Sequence, residues 1–198
     1  MTQPSAVAGF KREALPQDIE PYRQEAAKND QTSFEKLVPY PFLLYVRSKL
    51  WDKSLLVARG HGGDDAGATR MVRYEFYEGG YTFLHPVRKR QTNPGDAAII
   101  LGRSTSQDLI VPVPSISNSH LAFLPPTAGA RPLWHVKDNG SSNGSWLNDT
   151  KLEPLKPYPI QDNEYLRLGG NLIAWFLYPG HLWFLLNNDD ELKKLTDV

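Results

Sequence analysis

Beyond Met71 the chain is a succession of short apolar or alternating runs, each cut by glycine, proline, asparagine or aspartate. Runs this short cannot supply the ten or more periodic positions of a packed helix, and this constrains the fold more than any other feature. Val72, Tyr74 and Phe76 alternate, Glu78-Gly79-Gly80 turns, and Tyr81, Phe83 and His85 alternate again, which is the pattern of a β-hairpin. Further strands are predicted at Ala98–Leu101, Leu109–Val113, His120–Leu124, Trp134–Lys137, Ser145–Leu147, Tyr165–Leu168 and Leu172–Tyr178. Many short strands with frequent turn signals predict a mainly β chain folded as a β-sandwich.

The flanks read differently. Residues 1–31 are polar, punctuated by Pro4, Pro16 and Pro21, and read as a loosely ordered arm in which Asp18 to Lys28 has room for a short helix. Residues 32–70 form an N-terminal extension. Thr32-x-x-Glu35 fits a capping box, so a short helix is expected from Ser33 to near Pro39. Phe42 to Val46 is a dense apolar run whose length does not separate strand from helix. Gly60 to Thr69 is a loop by composition, and its His61, Asp64 and Asp65 read as a solvated turn rather than a metal site. The sandwich is assigned to residues 71–180. Residues 181–198 form a tail expected to pack on it, with Asp189 capping a final helix and Leu182–Leu186 either helical or a strand.

Composition removes several function classes. The 198 residues carry 22 Lys+Arg and 22 Asp+Glu, a formal net charge of +0, which argues against a general nucleic-acid binder. With 40% hydrophobic and 22% charged residues a packed core is feasible, and collagen-like or wholly disordered chains are excluded. The absence of cysteine removes disulfide frameworks, thiolate zinc sites and cysteine nucleophiles together. The longest apolar stretch, Leu172 to Tyr178, falls far short of the about 20 residues of a spanning helix, so no membrane partner is expected. No apolar signal segment is visible at the N-terminus, and the expected compartment is the cytoplasm. Asn139, Asn143 and Asn148 each open an N-x-[ST] pattern, read here as turn chemistry. No cofactor or metal is expected.

Three polar clusters lie at predicted loop tips: Leu101-Gly102-Arg103-Ser104, Ile116-Ser117-Asn118-Ser119-His120, and Asp138 through Asn148. Arg103 offers a planar fork suited to a phosphate dianion. Ser117 and Ser142 offer hydroxyls, and Asn118 and Asn143 offer amides that can hold a peptide backbone. Gly140 and Gly144 permit left-handed backbone and close approach. The set suits recognition of a small anion on an extended chain. Gly140-Ser141-Ser142-Asn143-Gly144 also matches G-x-S-x-G formally, with His120 and Asp138 as candidate partners. A strand, not a helix, is expected to follow it, and both partners precede the serine, so a hydrolase reading is disfavoured. Arg88-Lys89-Arg90 is the one compact basic run, read as a solvated strand end or, in the functional alternative, a basic rim steering anionic peptides.

Gly102-Arg103, Ser117-Asn118-Ser119-His120, Asp138 to Asn148 and Leu166-Arg167-Leu168-Gly169 together resemble the forkhead-associated (FHA) domain, over roughly Tyr81 to Tyr178. The resemblance implies a β-sandwich of about eleven strands whose loops at one end bind phosphothreonine peptides. It implies that Arg103 pairs with the phosphate, that Ser117 bonds it with help from Asn118, that Ser142 contributes from the third loop, and that Asn143 holds the peptide backbone. Gly102 and His120 shape the loops, as do Asp138 and Gly144. Ser115 stands where some members carry a basic residue that reads an acidic residue three places after the phosphothreonine, and Ser145 stands where threonine is frequent. The implied role is a non-enzymatic adaptor or scaffold in Ser/Thr kinase signalling, with a phosphothreonine-containing protein, a Ser/Thr kinase or its substrate, as partner. The alternative is a phospho-independent interaction scaffold on the same fold. Thr2, Thr32 and Thr69, if phosphorylated, are candidate ligands in cis or in a neighbouring copy. The oligomeric state is left open.

Overall fold

The four residues Phe42–Tyr45 are all buried, although they form a strand. Leu43 and Tyr45 enter one core, while Phe42 and Leu44 enter another. A strand covered on both faces has no polar side to alternate with, which is why its sequence reads as a plain apolar run. The structure, a computed structural model, describes residues 16–45, 83–90, 97–127 and 133–196.

The described residues hold twelve strands in two sheets. One sheet runs β1 (Gln17–Asp18), β3 (Phe83–Pro86), β2 (Phe42–Tyr45), β12 (Leu172–Leu177), β11 (Glu164–Leu168), β8 (Ser145–Leu147) and β9 (Thr150–Lys151). The other runs β10 (Pro157–Ile160), β7 (Trp134–Asp138), β6 (Leu121–Leu124), β4 (Ile99–Gly102) and β5 (Leu109–Ile110). Only β4 and β5 pair in parallel; the other pairings are antiparallel. Leu101, Leu121, Phe123 and Val136 from the smaller sheet meet Leu43, Leu166, Leu168 and Phe176 from the larger in a shared core. Phe123 and Phe176 stack across it with ring centroids 6.0 Å apart. The chain is therefore a mainly β sandwich with helices added at both ends.

The helices α1 (Glu20–Lys28), α2 (Gln31–Leu37), α3 (Pro179–Leu186) and α4 (Asp189–Thr196) form a third layer on the outer face of the larger sheet. Tyr22, Phe34, Val38, Leu182 and Leu186 pack there on Phe42, Leu44, Leu84 and Leu177. A fully buried leucine or phenylalanine contributes about 1.5–3 kcal/mol, so this layer holds the sheet rather than merely decorating it.

Several expectations need revision. The stretch 16–31 is not a loose arm, because α1 buries Tyr22 and Ala26 in the second core. The sandwich also takes a strand from before residue 71, since β2 lies between β12 and β3. Asp30, not Thr32, caps α2, with its Oδ1 accepting the Ser33 N–H at 2.8 Å. Glu35 instead accepts the Gln31 amide at 2.8 Å. Leu182–Leu186 is helical, because Pro179 sits in the first turn of α3, where a missing N–H costs nothing. Asp189 lies within the first turn of α4 and pairs with Arg23. Phe83–Pro86 has β1 on one side and β2 on the other; its expected hairpin partner, Val72–Phe76, lies outside the described residues. The strand β10 escaped notice because Pro157 and Pro159 interrupt it. Prolines are tolerated there because β10 is an edge strand. His61, Asp64, Asp65, Thr2 and Thr69 also lie outside the described residues.

Candidate recognition site

The three polar clusters expected at loop tips are brought together at one end of the sandwich by main-chain hydrogen bonds. The Arg103 N–H donates to the Ser117 carbonyl at 2.8 Å, and the Ser104 N–H to the Asn118 carbonyl at 3.3 Å. These bonds continue the β4–β6 ladder into the loops, where the His120 N–H donates to the Leu101 carbonyl at 2.8 Å. The third loop joins the second through side chains. The Ser142 N–H donates to Ser117 Oγ at 3.0 Å, and the Asn143 amide donates to the Ser115 carbonyl at 2.8 Å. Ser117 Oγ and Ser142 Oγ stand 3.5 Å apart.

Arg103, Asn118, Ser142 and Asn143 are exposed and Ser117 is half-buried. Among the described residues the Arg103 guanidinium has no ion pair or hydrogen bond. The loop end thus offers an exposed guanidinium without a protein partner, on a backbone tied to Ser117, and a pair of clustered hydroxyls, groups whose chemistry suits an oxyanion. The Asn143 amide spends one of its two N–H groups on the Ser115 carbonyl, which fixes its place between the second and third loops.

The four loop-shaping residues are buried or conformationally required. Asp138, 1% exposed, accepts the Gly140 and Ser141 N–H groups at 2.8 Å each, the Ser141 hydroxyl at 2.6 Å, and the Ser145 hydroxyl. Burial pushes its carboxyl up, but the Ser141 and Ser145 hydrogen bonds and His120 outweigh that and hold it below the ordinary carboxylate value. His120 is fully buried, and its Nδ1 accepts the Ser117 N–H at 3.0 Å. Burial lowers the His120 pKa against the pull of Asp138, so the ring is neutral near pH 7. Gly144 and Gly140 have φ of +77° and +76°, the left-handed region that favours glycine. Gly102 is required for a different reason: a β-carbon there would stand 2.2 Å from the Asn118 carbonyl oxygen.

This arrangement engages the groups of the G-x-S-x-G match otherwise than a hydrolase would. His120 Nδ1 serves the Ser117 backbone, Asp138 serves the third loop, and Ser142 Oγ faces Ser117. The strand β8 follows the serine, where a nucleophile elbow needs a helix.

Two residues make structural contacts that the sequence reading did not show. Asp108, 3% exposed, accepts the Arg90 and Ile100 N–H groups at 2.9 Å each, and Lys89 Nζ at 3.1 Å. Arg90 also donates to the Thr105 and Gln107 carbonyls at 2.8 and 3.0 Å. The basic run is thus neither a solvated strand end nor a free rim, because Lys89 and Arg90 clamp the loop that carries Arg103. Arg88 lies over the Tyr40 ring. Gly169 is the second contributor. With φ +59°, it passes so close to the Ser115 carbonyl that a β-carbon would stand 2.6 Å from its oxygen. An isolated buried aspartate and a glycine after a strand carry no sequence signal of such long-range contacts.

These features define a β-sandwich that presents a polar, three-loop surface at one end. Residues 99–169 match the family model described as "FHA domain", and the chain carries an FHA domain. Among curated proteins, human E3 ubiquitin-protein ligase RNF8 is 50% identical over 36 residues, 18% of this chain and 7% of that protein. The probable E3 ubiquitin-protein ligase dma1 of Schizosaccharomyces pombe is 45% identical over 42 residues, 19% of this chain and 16% of that protein. The chain thus spans only a small part of the length of these relatives. Among solved structures, the MEK1 FHA domain in complex with a HOP1 phosphothreonine peptide is similar at a TM-score of 0.39. It is 26% identical, covering 48% of this chain and 87% of that one. Full-length yeast Pml1p is similar at a TM-score of 0.46 and 12% identity, covering 75% and 93%. No helix among the described residues is long and apolar enough to cross a membrane.

Proposed function

We propose that the loop end binds phosphothreonine-containing protein segments, with Arg103 and Ser117 on the phosphate, Asn118 and Ser142 assisting, and Asn143 on the peptide backbone. On this reading the chain is an adaptor or scaffold in Ser/Thr kinase signalling. Its partner is a phosphorylated protein, either a Ser/Thr kinase or a substrate of one. The observation that carries the reading is the exposed, unpaired Arg103 guanidinium, on a backbone tied to the same Ser117 whose hydroxyl meets Ser142.

Each charge-assisted hydrogen bond to phosphate contributes about 1.5–3 kcal/mol, less what ordering the peptide costs. A few such bonds give a dissociation constant on the order of micromolar. A phosphomimetic aspartate or glutamate, with less charge and fewer acceptor oxygens, is a poor substitute.

The test is a screen of the wild-type chain against an oriented phosphothreonine peptide library, with unphosphorylated and phosphoserine versions as controls. Binding confined to phosphorylated members supports the reading. Equal binding of unphosphorylated members points instead to a phospho-independent scaffold.

A further inference from the structure

Immediately behind the third loop, on the outer face of the larger sheet, two cations flank one tryptophan. The strands β11, β8 and β9 are neighbours, and their register places Arg167 opposite Trp146 and Trp146 opposite Lys151. The Arg167 guanidinium carbon lies 4.1 Å from the Trp146 ring centroid, and Lys151 Nζ lies 5.5 Å from it. Lys151 is exposed, and Trp146 and Arg167 are partly so. Among the described residues neither cation has an ion-pair partner. Acids on the same strands and their turns are engaged elsewhere: Asp149 accepts the Tyr165 hydroxyl, and Glu164 accepts the Asn148 amide and the Gln161 N–H.

The shelf is continuous with the recognition loops. A β-carbon on Gly144 would stand 3.3 Å from both the Trp146 ring and the Lys151 side chain. Gly144 follows Asn143 directly, so a peptide lying on Asn143 reaches the shelf within a few residues, at about 3.3–3.6 Å per extended residue. The ring holds both cations in place over its face, and their charge remains uncompensated.

We infer that Lys151 and Arg167, held by Trp146, form a second subsite that takes the carboxylate of an aspartate or glutamate flanking the phosphothreonine in the same bound segment. The inference rests on the phosphopeptide reading above. The subsite adds selectivity and salt-sensitive attraction, while the phosphate site supplies the phosphate dependence.

The test compares matched phosphothreonine peptides carrying glutamate or alanine at each of several flanking positions, titrated into wild type, Lys151→Gln and Lys151→Gln/Arg167→Gln. Thermal unfolding checks that each variant is folded, and the exposed Lys151→Gln alone keeps the test usable if the double variant is not. We expect wild type to prefer glutamate at one position or more by about three- to tenfold, as two partly exposed charge pairs allow. That preference should shrink in Lys151→Gln and vanish in the double variant, with binding of the alanine peptides unchanged. A glutamate preference that survives both substitutions, or alanine peptides that bind wild type as tightly as glutamate ones, would overturn the subsite while leaving the phosphate site standing. Failure of every phosphothreonine peptide to bind wild type would overturn the phosphopeptide reading itself, and the subsite with it.

Discussion

Gly102 and Asn118 touch so closely that a β-carbon on residue 102 would stand 2.2 Å from the Asn118 carbonyl oxygen and 2.8 Å from its carbonyl carbon. Both atoms belong to the backbone, so they cannot swing aside as a side chain would. Gly102→Ala must push the second loop away from Arg103. The expected cost is about 1–3 kcal/mol, typical of overpacking. Because the displaced loop carries Ser117, phosphopeptide affinity should fall more than tenfold. Urea unfolding and peptide titration of the same variant check the two effects together.

Asp138 organises the third loop from a buried position, accepting two backbone N–H groups and two hydroxyls. Asp138→Asn keeps the shape but removes the charge and turns one acceptor into a donor facing donors. Hydrogen bonds to charged groups contribute about 1.5–3 kcal/mol, and we expect a loss of that order. Faster amide exchange at Gly140 and Ser141 is the local signature. Unchanged exchange there would contradict the role assigned to the carboxylate.

Stability should fall in acid in two stages. The folded His120 pKa lies below 6.5, so on descending from neutral pH the unfolded chain takes up this proton first and stability falls below about pH 6.5. Asp138 is depressed below 3.8 in the fold, so its contribution is present above that value and is lost as pH falls through the folded pKa. His120→Asn, whose side-chain oxygen can still accept the Ser117 N–H, should remove the upper stage and leave the lower. Denaturant titrations across this pH range read both stages directly.

Lys89 ties the Arg103 loop down through Asp108. Lys89→Met keeps the aliphatic stem but removes the partner of a buried carboxylate, at an expected cost of about 1–3 kcal/mol. Amide exchange should rise between residues 103 and 108, and phosphopeptide affinity should fall only modestly because the contact residues remain.

The sandwich was legible because period-two runs and turn residues mark strands whose second face is polar or exposed. The runs ending at Leu101, Leu124 and Leu168 were placed within a residue or two. Phe42–Tyr45 stayed ambiguous because two cores erase alternation. The helical layer was underestimated because α1 buries only Tyr22 and Ala26, too few positions for a clear stripe. In the candidate site, Gly102, Arg103, Ser117, His120, Asp138 and Asn143 stood out because each pairs a special residue type with a motif position. Asp108 did not, and Ser115 stood out only as a departure from the family pattern, since the structural effect of both runs through contacts to chain segments far away in sequence. The meaning of Arg88-Lys89-Arg90 was misjudged for the same reason: nothing local shows that a buried aspartate waits 19 residues beyond Lys89.

The most direct measurement is calorimetric titration of one phosphothreonine peptide, and its unphosphorylated form, into wild type, Arg103→Lys and Arg103→Ala. Wild type should bind the phosphorylated peptide at a dissociation constant on the order of micromolar and the unphosphorylated form at least about 30-fold more weakly, given the strength of charged hydrogen bonds. Arg103→Ala should lose most of that difference, and Arg103→Lys should retain part of it, because lysine keeps the charge without the fork. Undiminished phosphate-dependent binding by a folded Arg103→Ala would contradict the assignment of this loop end as the phosphothreonine site.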